Sequence, residues 1–328
     1  MGTPKMLRIA TAMGLATTAL AASCWRNSTC SGPSATSFPG PWESNIYSPA
    51  SRVVPPRSIL SERGAVVSEY SGEETLSLTE DAPSVVLDFG VEVGGVVSLD
   101  YHLSGADAAS FGLAFTEAKD YIGRGSDSSR ADGGGKGGDG PLLVNATSSS
   151  SGGHYDMPDA SMRGGFRYLT IFLEDAPRGA ALEIGNVELE ISFQPTWPDL
   201  RAYGGYFHSD DELVNRIWYS GAYTVQTNSA PGNAGRGSKK SEEPGWANDA
   251  FITEGETVLL DGAKRDRWVW IGDMGIAVPS AFVGTGDLES TKNALLAIYD
   301  YQVSSWVFIS HCPSRPVHSF FDLSAARH

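Results

Sequence analysis

SVVLDFGVEVGGVVSLDYHL, residues Ser84 to Leu103, carries β-branched runs broken by Gly90 and by Gly94-Gly95. Such runs read as strands, because branched side chains fit a pleated, half-buried surface. More segments of this kind follow. FGLAFTEA spans 111–118. FRYLTIFL (Phe166 to Leu173) alternates, with Phe166, Tyr168, Thr170 and Phe172 on one side. NVELEISF alternates strictly, so Val187, Leu189, Ile191 and Phe193 face inward while Asn186, Glu188, Glu190 and Ser192 face out. Short strands separated by Gly, Ser and Pro signals predict an antiparallel β-sandwich. RADGGGKGGDG and SSSSGG read as loop tips within it.

The pattern changes near residue 200. HSDDELVNRIWYSGAYTVQTN has helical spacing, with Leu213, Ile217, Trp218, Gly221 and Val225 as the expected inner face. Ser209 and Glu212 have the spacing of a capping box. GDMGIAVPSAFV is a second helical candidate, although Pro279 is unfavourable in a helix interior. GDLESTKNALLAIYDYQ is a third, with Leu288, Leu295, Ile298 and Tyr299 near one face and Asp287 and Glu289 in its first turn. A boundary at about 200 to 206 therefore separates a β domain from a helical one. Upstream, residues 22–64 are rich in Pro, Ser and Gly and read as an extended segment packed on a domain surface.

The 328 residues suffice for about two domains. The net charge of -15, from 24 basic against 39 acidic residues, argues against nucleic acid and anionic membranes as partners. No dinucleotide, Walker, zinc-protease or serine-hydrolase motif is present, and the six histidines pair with no cysteine at zinc spacing, so no cofactor and no metal is expected. MGTPKMLRIATAMGLATTALAAS reads as a secretory signal, residues 1–21: Lys5 and Arg8 form a positive start, Ile9 to Leu20 an apolar run, and Ala19-Leu20-Ala21 a cleavage site. A secreted, extracellular protein is the expectation. Asn27 and Asn145 then stand in glycosylation sequons. Cys24 and Cys30 can pair in an oxidising compartment or remain thiols, and Cys312 is left over.

The chemistry concentrates in DGAKRDRWVWIGD, Asp261 to Asp273, which holds three aspartates, three bases and two tryptophans. Carboxylates accept hydrogen bonds from sugar hydroxyls, and indole faces pack on the C–H face of a pyranose. A carboxylic acid beside apolar rings can also keep its proton and act as a general acid. The same residues equally fit a structural ion-pair network, in which Arg265 and Arg267 neutralise the aspartates.

DGAKRDRWVWIGDMG resembles the signature of the fungal secreted α-L-rhamnosidases, a family of glycoside hydrolases. The resemblance extends through AFTEAKDYIG, MPDASMRGGFRYLTIFL, FQPTWPDLRAYGGYFHSDDELVNRIWYSGAYTVQTN and GDLESTKNALLAIYDYQ, most of residues 24 to 302. It implies a jelly-roll-like β-sandwich (65–200) ahead of the first hairpins of an (α/α)6 barrel (201–302), and an inverting reaction on rhamnose-containing glycosides or pectic side chains. It implies Asp266 as general acid, Asp261, Arg265 and Asp273 as binders of rhamnose hydroxyls, and Trp270 as a pocket wall. Many members carry Glu at the position of Asp266, and Asp is one methylene shorter. Inversion needs a second carboxyl about 6.5–9.5 Å away to activate water. No position of this chain matches the family's glutamate base, so the chain is expected to be an inactive fragment. Likeness stops at Gln302. Residues 303–328 have no helical period and are read as translated intron, since Val303-Ser304 can be encoded by a donor-like GTGAGT; the alternative is a genuine short form, which would expose the apolar faces of its helices. The alternative function is a non-catalytic, carbohydrate-binding β-sandwich.

Overall fold

The computed structural model describes residues 24–129, 139–236 and 248–300. The signal segment, the tail from 303 with Cys312, and most of the Gly-rich tip at 130–140 lie outside the described residues.

Ten strands form one antiparallel sheet: β1 (Val53–Val54), β2 (Ser58–Leu60), β3 (Val66–Glu69), β4 (Leu76–Leu78), β5 (Ser84–Ser104), β6 (Ala108–Thr116), β7 (Leu142–Thr147), β8 (Gly153–Asp156), β9 (Arg163–Asp175) and β10 (Ala181–Ile191). β5 is the hinge of this sheet. Its first residues, Ser84 to Asp88, pair with β9, and part of them with β2, while Gly95 to Ser104 pair with β10 and Ser98 to Tyr101 also with β8. The expected two layers are therefore one sheet folded through β5. The β5–β9 register shifts between Asp88 and Val93, where Gly90 takes φ 81°, a left-handed conformation that a side chain disfavours. Phe111 of β6 meets Tyr101 of β5 and Tyr155 of β8, at ring separations of 5.8 and 6.3 Å. Phe115 and Phe89 both pack edge-on against Phe166. Burying rings of this size dominates the energetics of such a core.

β10 buries Val187, Leu189 and Ile191, in keeping with its alternation, and just beyond it Phe193 is buried as expected but Ser192 is buried too. β9 differs from expectation. Phe166, Tyr168, Leu169, Thr170, Ile171 and Phe172 are all buried, because Leu60, Val86 and Tyr168 form a second small core on the outer side of the sheet. The sheet also begins earlier than expected, inside the segment read as extended. Val53 pairs with Glu190 and Ser58 with Asp88; strands of two and three residues are too short to show an alternation. Farther upstream, Cys24 and Cys30 are joined as a disulfide. Asn27 and Asn145 are both exposed.

Beyond the sheet come α1 (Glu212–Thr227), the short pair β11 (Ser229–Ala230) and β12 (Val258–Leu259), α2 (Ile271–Val283) and α3 (Glu289–Asp300). The expected opening hairpins of an (α/α)6 barrel are not evident. The described residues hold three α-helices, and the stretch between α1 and α2 forms loops and the β11–β12 pair instead.

The helices keep only part of the expected inner face: Trp218 and Val225 of α1 and Ile298 of α3 are half-buried against the cores. Leu213 and Ile217 of α1 are more than 60% exposed, and Leu295 and Tyr299 of α3 are exposed with Leu288 before it. The buried face of α1 joins two tyrosines to polar groups, with Asn215, Tyr219, Ala222, Tyr223 and Gln226, and that of α3 is small and polar, with Ser290, Thr291, Asn293, Ala294 and Ala297. Their buried amides are bonded, although the Thr291 hydroxyl is not. Gln226 donates to Leu200 O at 2.6 Å and accepts from the Tyr203 hydroxyl at 2.8 Å. Asn293 donates to Thr257 O. The cap of α1 shifts too: Asp211, not Ser209, accepts from the Leu213 and Val214 amides. α2 runs through Pro279, whose missing N–H forgoes one helical hydrogen bond. No helix among the described residues is long and apolar enough to cross a membrane.

Replacing Gln226 with Leu keeps the volume but leaves the Leu200 carbonyl and the Tyr203 hydroxyl unpaired. Chemical denaturation should register a loss of about 1–3 kcal/mol, whereas Leu213→Ser should change stability by no more than about 0.5 kcal/mol.

Candidate functional site

Asp261 to Asp273 runs from the end of β12 into the first turn of α2. Its base is a closed loop. The Asp261 amide donates to Trp268 O at 3.0 Å, and the Trp268 amide donates to Asp261 Oδ1 at 2.9 Å. Within it, Asp266 and Arg267 take φ 66° and 51°, two consecutive left-handed residues that are not glycine. Each such residue costs of order 1–3 kcal/mol and persists only where the surroundings over-determine it.

Three sets of contacts supply that determination. Arg267 is 1% exposed, and its guanidinium donates to Ala234 O at 3.1 and 2.7 Å and to Ala263 O at 2.5 Å. Burial pulls its pKa down to about 10, which leaves it a cation. Trp268 and Val269 enter a core with Ile252, Val258, Leu260, Ala294 and Ala297. Trp270, half-buried at the start of α2, packs against the same core. Finally, the loop rests on β9 of the sheet. A Cβ on Gly164 would lie 1.7 Å from Ala263 O and 2.0 Å from Arg267 Nη1, so only glycine allows this approach.

The predicted site residues fall as follows. Asp266 is partly buried, and Arg265 Nε lies 3.5 Å from its Oδ1, so the expected ion pair with Arg265 forms. The one considered with Arg267 does not, because that side chain spends its donors on carbonyl oxygens. Asp273 is exposed in the first turn of α2, where a carboxylate suits the helix dipole. Asp261 is the most perturbed carboxyl of the three. Burial, reinforced by the charges of Asp266 and Asp273, raises its pKa to about 7. That influence brings the three aspartates into one electrostatic neighbourhood. Among the described residues no three His, Cys, Asp or Glu side chains gather as a metal site.

Sequence reading missed the sandwich side of this loop. Lys264 Nζ reaches Glu117 Oε2 at 2.7 Å and Asp127 Oδ2 at 3.2 Å. Glu92, pushed to about pKa 7 by burial and the nearby Glu117 charge, lies against Gly165 beside Lys264. These partners are 137 to 147 residues away in sequence. The one available signal was the Gly164-Gly165 pair inside an otherwise strand-forming run.

No family model matches the sequence, and no curated protein does. Among solved structures, the chain is similar to a rhamnosidase from Klebsiella oxytoca with rhamnose bound. That protein is 19% identical, with 74% of this chain and 42% of that chain covered and a TM-score of 0.48. The chain is also similar to a GH78 family rhamnosidase of Bacillus sp. GL1, at 18% identity, 73% and 20% coverage and a TM-score of 0.49. An α-L-rhamnosidase of Streptomyces avermitilis complexed with L-rhamnose is 18% identical, at 74% and 20% coverage and a TM-score of 0.44. The chain thus spans less than half the length of each.

The Asp261 proton has a stability consequence. The folded state binds it up to about pH 7 and the unfolded state only to about pH 4, so this contribution is present below pH 4 and is lost as pH rises through 7. Asp261→Asn keeps the acceptor for the Trp268 amide and cannot ionise. Its melting temperature should gain on the wild type between pH 4 and pH 8, by the equivalent of about 1–3 kcal/mol after discounting for partial exposure.

Proposed function

We propose that the protein is a secreted glycoside hydrolase that releases terminal α-L-rhamnose by an inverting acid/base mechanism; this chain carries the acid and the sugar-binding groups and is by itself inactive or nearly so. The charges of Asp266 on the strained loop and Asp273 in the first turn of α2 both acting on Asp261, beside two tryptophans, carry this reading. The sequence resemblance supplies the sugar, which the geometry alone does not name.

Asp266 is the general acid. Its carboxyl sits at the left-handed turn and protonates the departing glycosidic oxygen, while Arg265 steadies the carboxylate left behind. Asp261 keeps one oxygen on the Trp268 amide and presents the other to a sugar hydroxyl. Asp273 and Arg265 take further hydroxyls, and Trp270 forms an apolar wall for the C–H face of the ring. Activation of water from the opposite face requires a second carboxyl, and none of the residues named here is assigned that role.

A second reading, sugar binding without cleavage, is favoured by a separate cavity of about 570 Å³ on the sandwich. Asp100, Tyr101, His154 and Glu183 line it. Its polar groups are mutually oriented: Asn186 donates to Asp100 at 2.7 Å, and His154 Nδ1 lies 2.5 Å from the same carboxylate.

Hydrolysis of an aryl α-L-rhamnoside separates the two readings. On the first, Asp266→Asn lowers kcat by about 10²–10⁴-fold. On the second there is no turnover to lose, and rhamnose retention survives Asp266→Asn but is lost in Asp100→Ala.

A further inference from the structure

The loop that carries Asp266 contains two consecutive left-handed residues, and part of what holds it belongs to the other half of the molecule. Arg267 packs against Gly164 of β9, while Lys264, two residues before Asp266, hydrogen-bonds two carboxylates of the sandwich. Its ammonium is bonded by Glu117, just beyond β6, and by Asp127 in the loop that follows. These are not free surface pairs. The side chains of Lys264 and Asp127 are each 19% exposed, a setting where charge-assisted hydrogen bonds are less screened by solvent, while Glu117 at 39% is the more open partner.

The carboxylates are themselves fixed. The Glu117 amide donates to Asp127 Oδ2 at 2.9 Å, and the Asp127 amide donates to Phe115 O. Arg163, 1% exposed, donates to Asp127 O at 2.8 Å and pairs with buried Asp139 at 2.5 Å. Beside them, Gly164 and Gly165 make room for the loop: Cβ atoms there would strike Ala263 O, Arg267 Nη1 and Glu92 Oε1. An ion pair anchored in one body, a glycine seat and a strained turn in the other make a clamp.

We infer that Glu117 and Asp127 of the β-sandwich are positioning residues that act through Lys264 to hold the Asp266 turn in its left-handed geometry, so that the sandwich is a working part of the site. The relevance of this clamp to catalysis rests on the glycosidase reading; its effect on the loop does not.

The test is hydrogen exchange on the full chain without sugar. Lys264→Met, and separately Glu117→Gln with Asp127→Asn, should speed exchange of the Asp261, Arg267 and Trp268 amides by about tenfold. Exchange in β9 should stay at the wild-type rate, and Lys264→Arg should restore most of the loop protection. Wild-type exchange in the loop of both variants overturns the inference. So does equal loosening of the loop and β9, which would make the cluster a general stabiliser. If Lys264→Met does not fold, the carboxyl pair decides alone in the same way. Rhamnoside turnover is then read on the same proteins. A loosened loop beside rhamnoside turnover that survives Asp266→Asn sinks the glycosidase reading and leaves the clamp standing. Unchanged loop exchange beside Asp266-dependent turnover sinks only the clamp.

Discussion

The buried guanidinium of Arg267 is the contact on which the rest of the candidate site depends. A cation at 1% exposure is costly to desolvate unless its donors are satisfied. Here the donors are spent on two backbone carbonyls, Ala234 O and Ala263 O, rather than on a carboxylate. The consequence is twofold. The chain turns sharply at Asp266 and Arg267 to deliver the side chain inward, and Arg267 spends its hydrogen bonds on carbonyls, acting on Asp261 only through space. A loop built on a buried Arg–Asp pair would have been more ordinary electrostatically and would have left fewer free carboxyl oxygens.

The sheet supplies the counterpart to that turn. β5 folds one sheet into two layers, and β9, through Gly164 and Gly165, gives the loop a floor made of backbone. Glycine serves here for close approach rather than flexibility. The sandwich and the helical part are thereby joined at the one place where the charged side chains gather, and the strain at Asp266 is offset by packing and hydrogen bonds contributed by both halves.

The helices show how polar residues can define an interior. α1 and α3 bury Asn, Gln, Ser and Thr with small alanines and leave Leu213, Ile217, Leu295 and Tyr299 outside. Each buried amide described has a backbone or hydroxyl partner, so desolvation is compensated. An apolar face of this extent is the kind of surface that marks an interaction site in a folded protein.

Much of this was legible in the sequence. The strands of the sandwich followed from period-2 alternation, most cleanly in β10, because that strand has one wet and one dry face. The charged-aromatic segment could be singled out because carboxylates and tryptophans rarely mix at that density without a reason. The helices were legible as helices, since their apolar residues do recur at helical spacing. Which face turns inward was decided by tertiary structure: hydrogen-bond partners such as Leu200 O and Thr257 O are remote in sequence, and without them Asn and Gln score as exterior. The burial of β9 on both faces, the folding of one sheet into two layers, and the grip of Glu117 and Asp127 on Lys264 share that origin. Each is a contact between segments distant along the chain, which local periodicity does not encode.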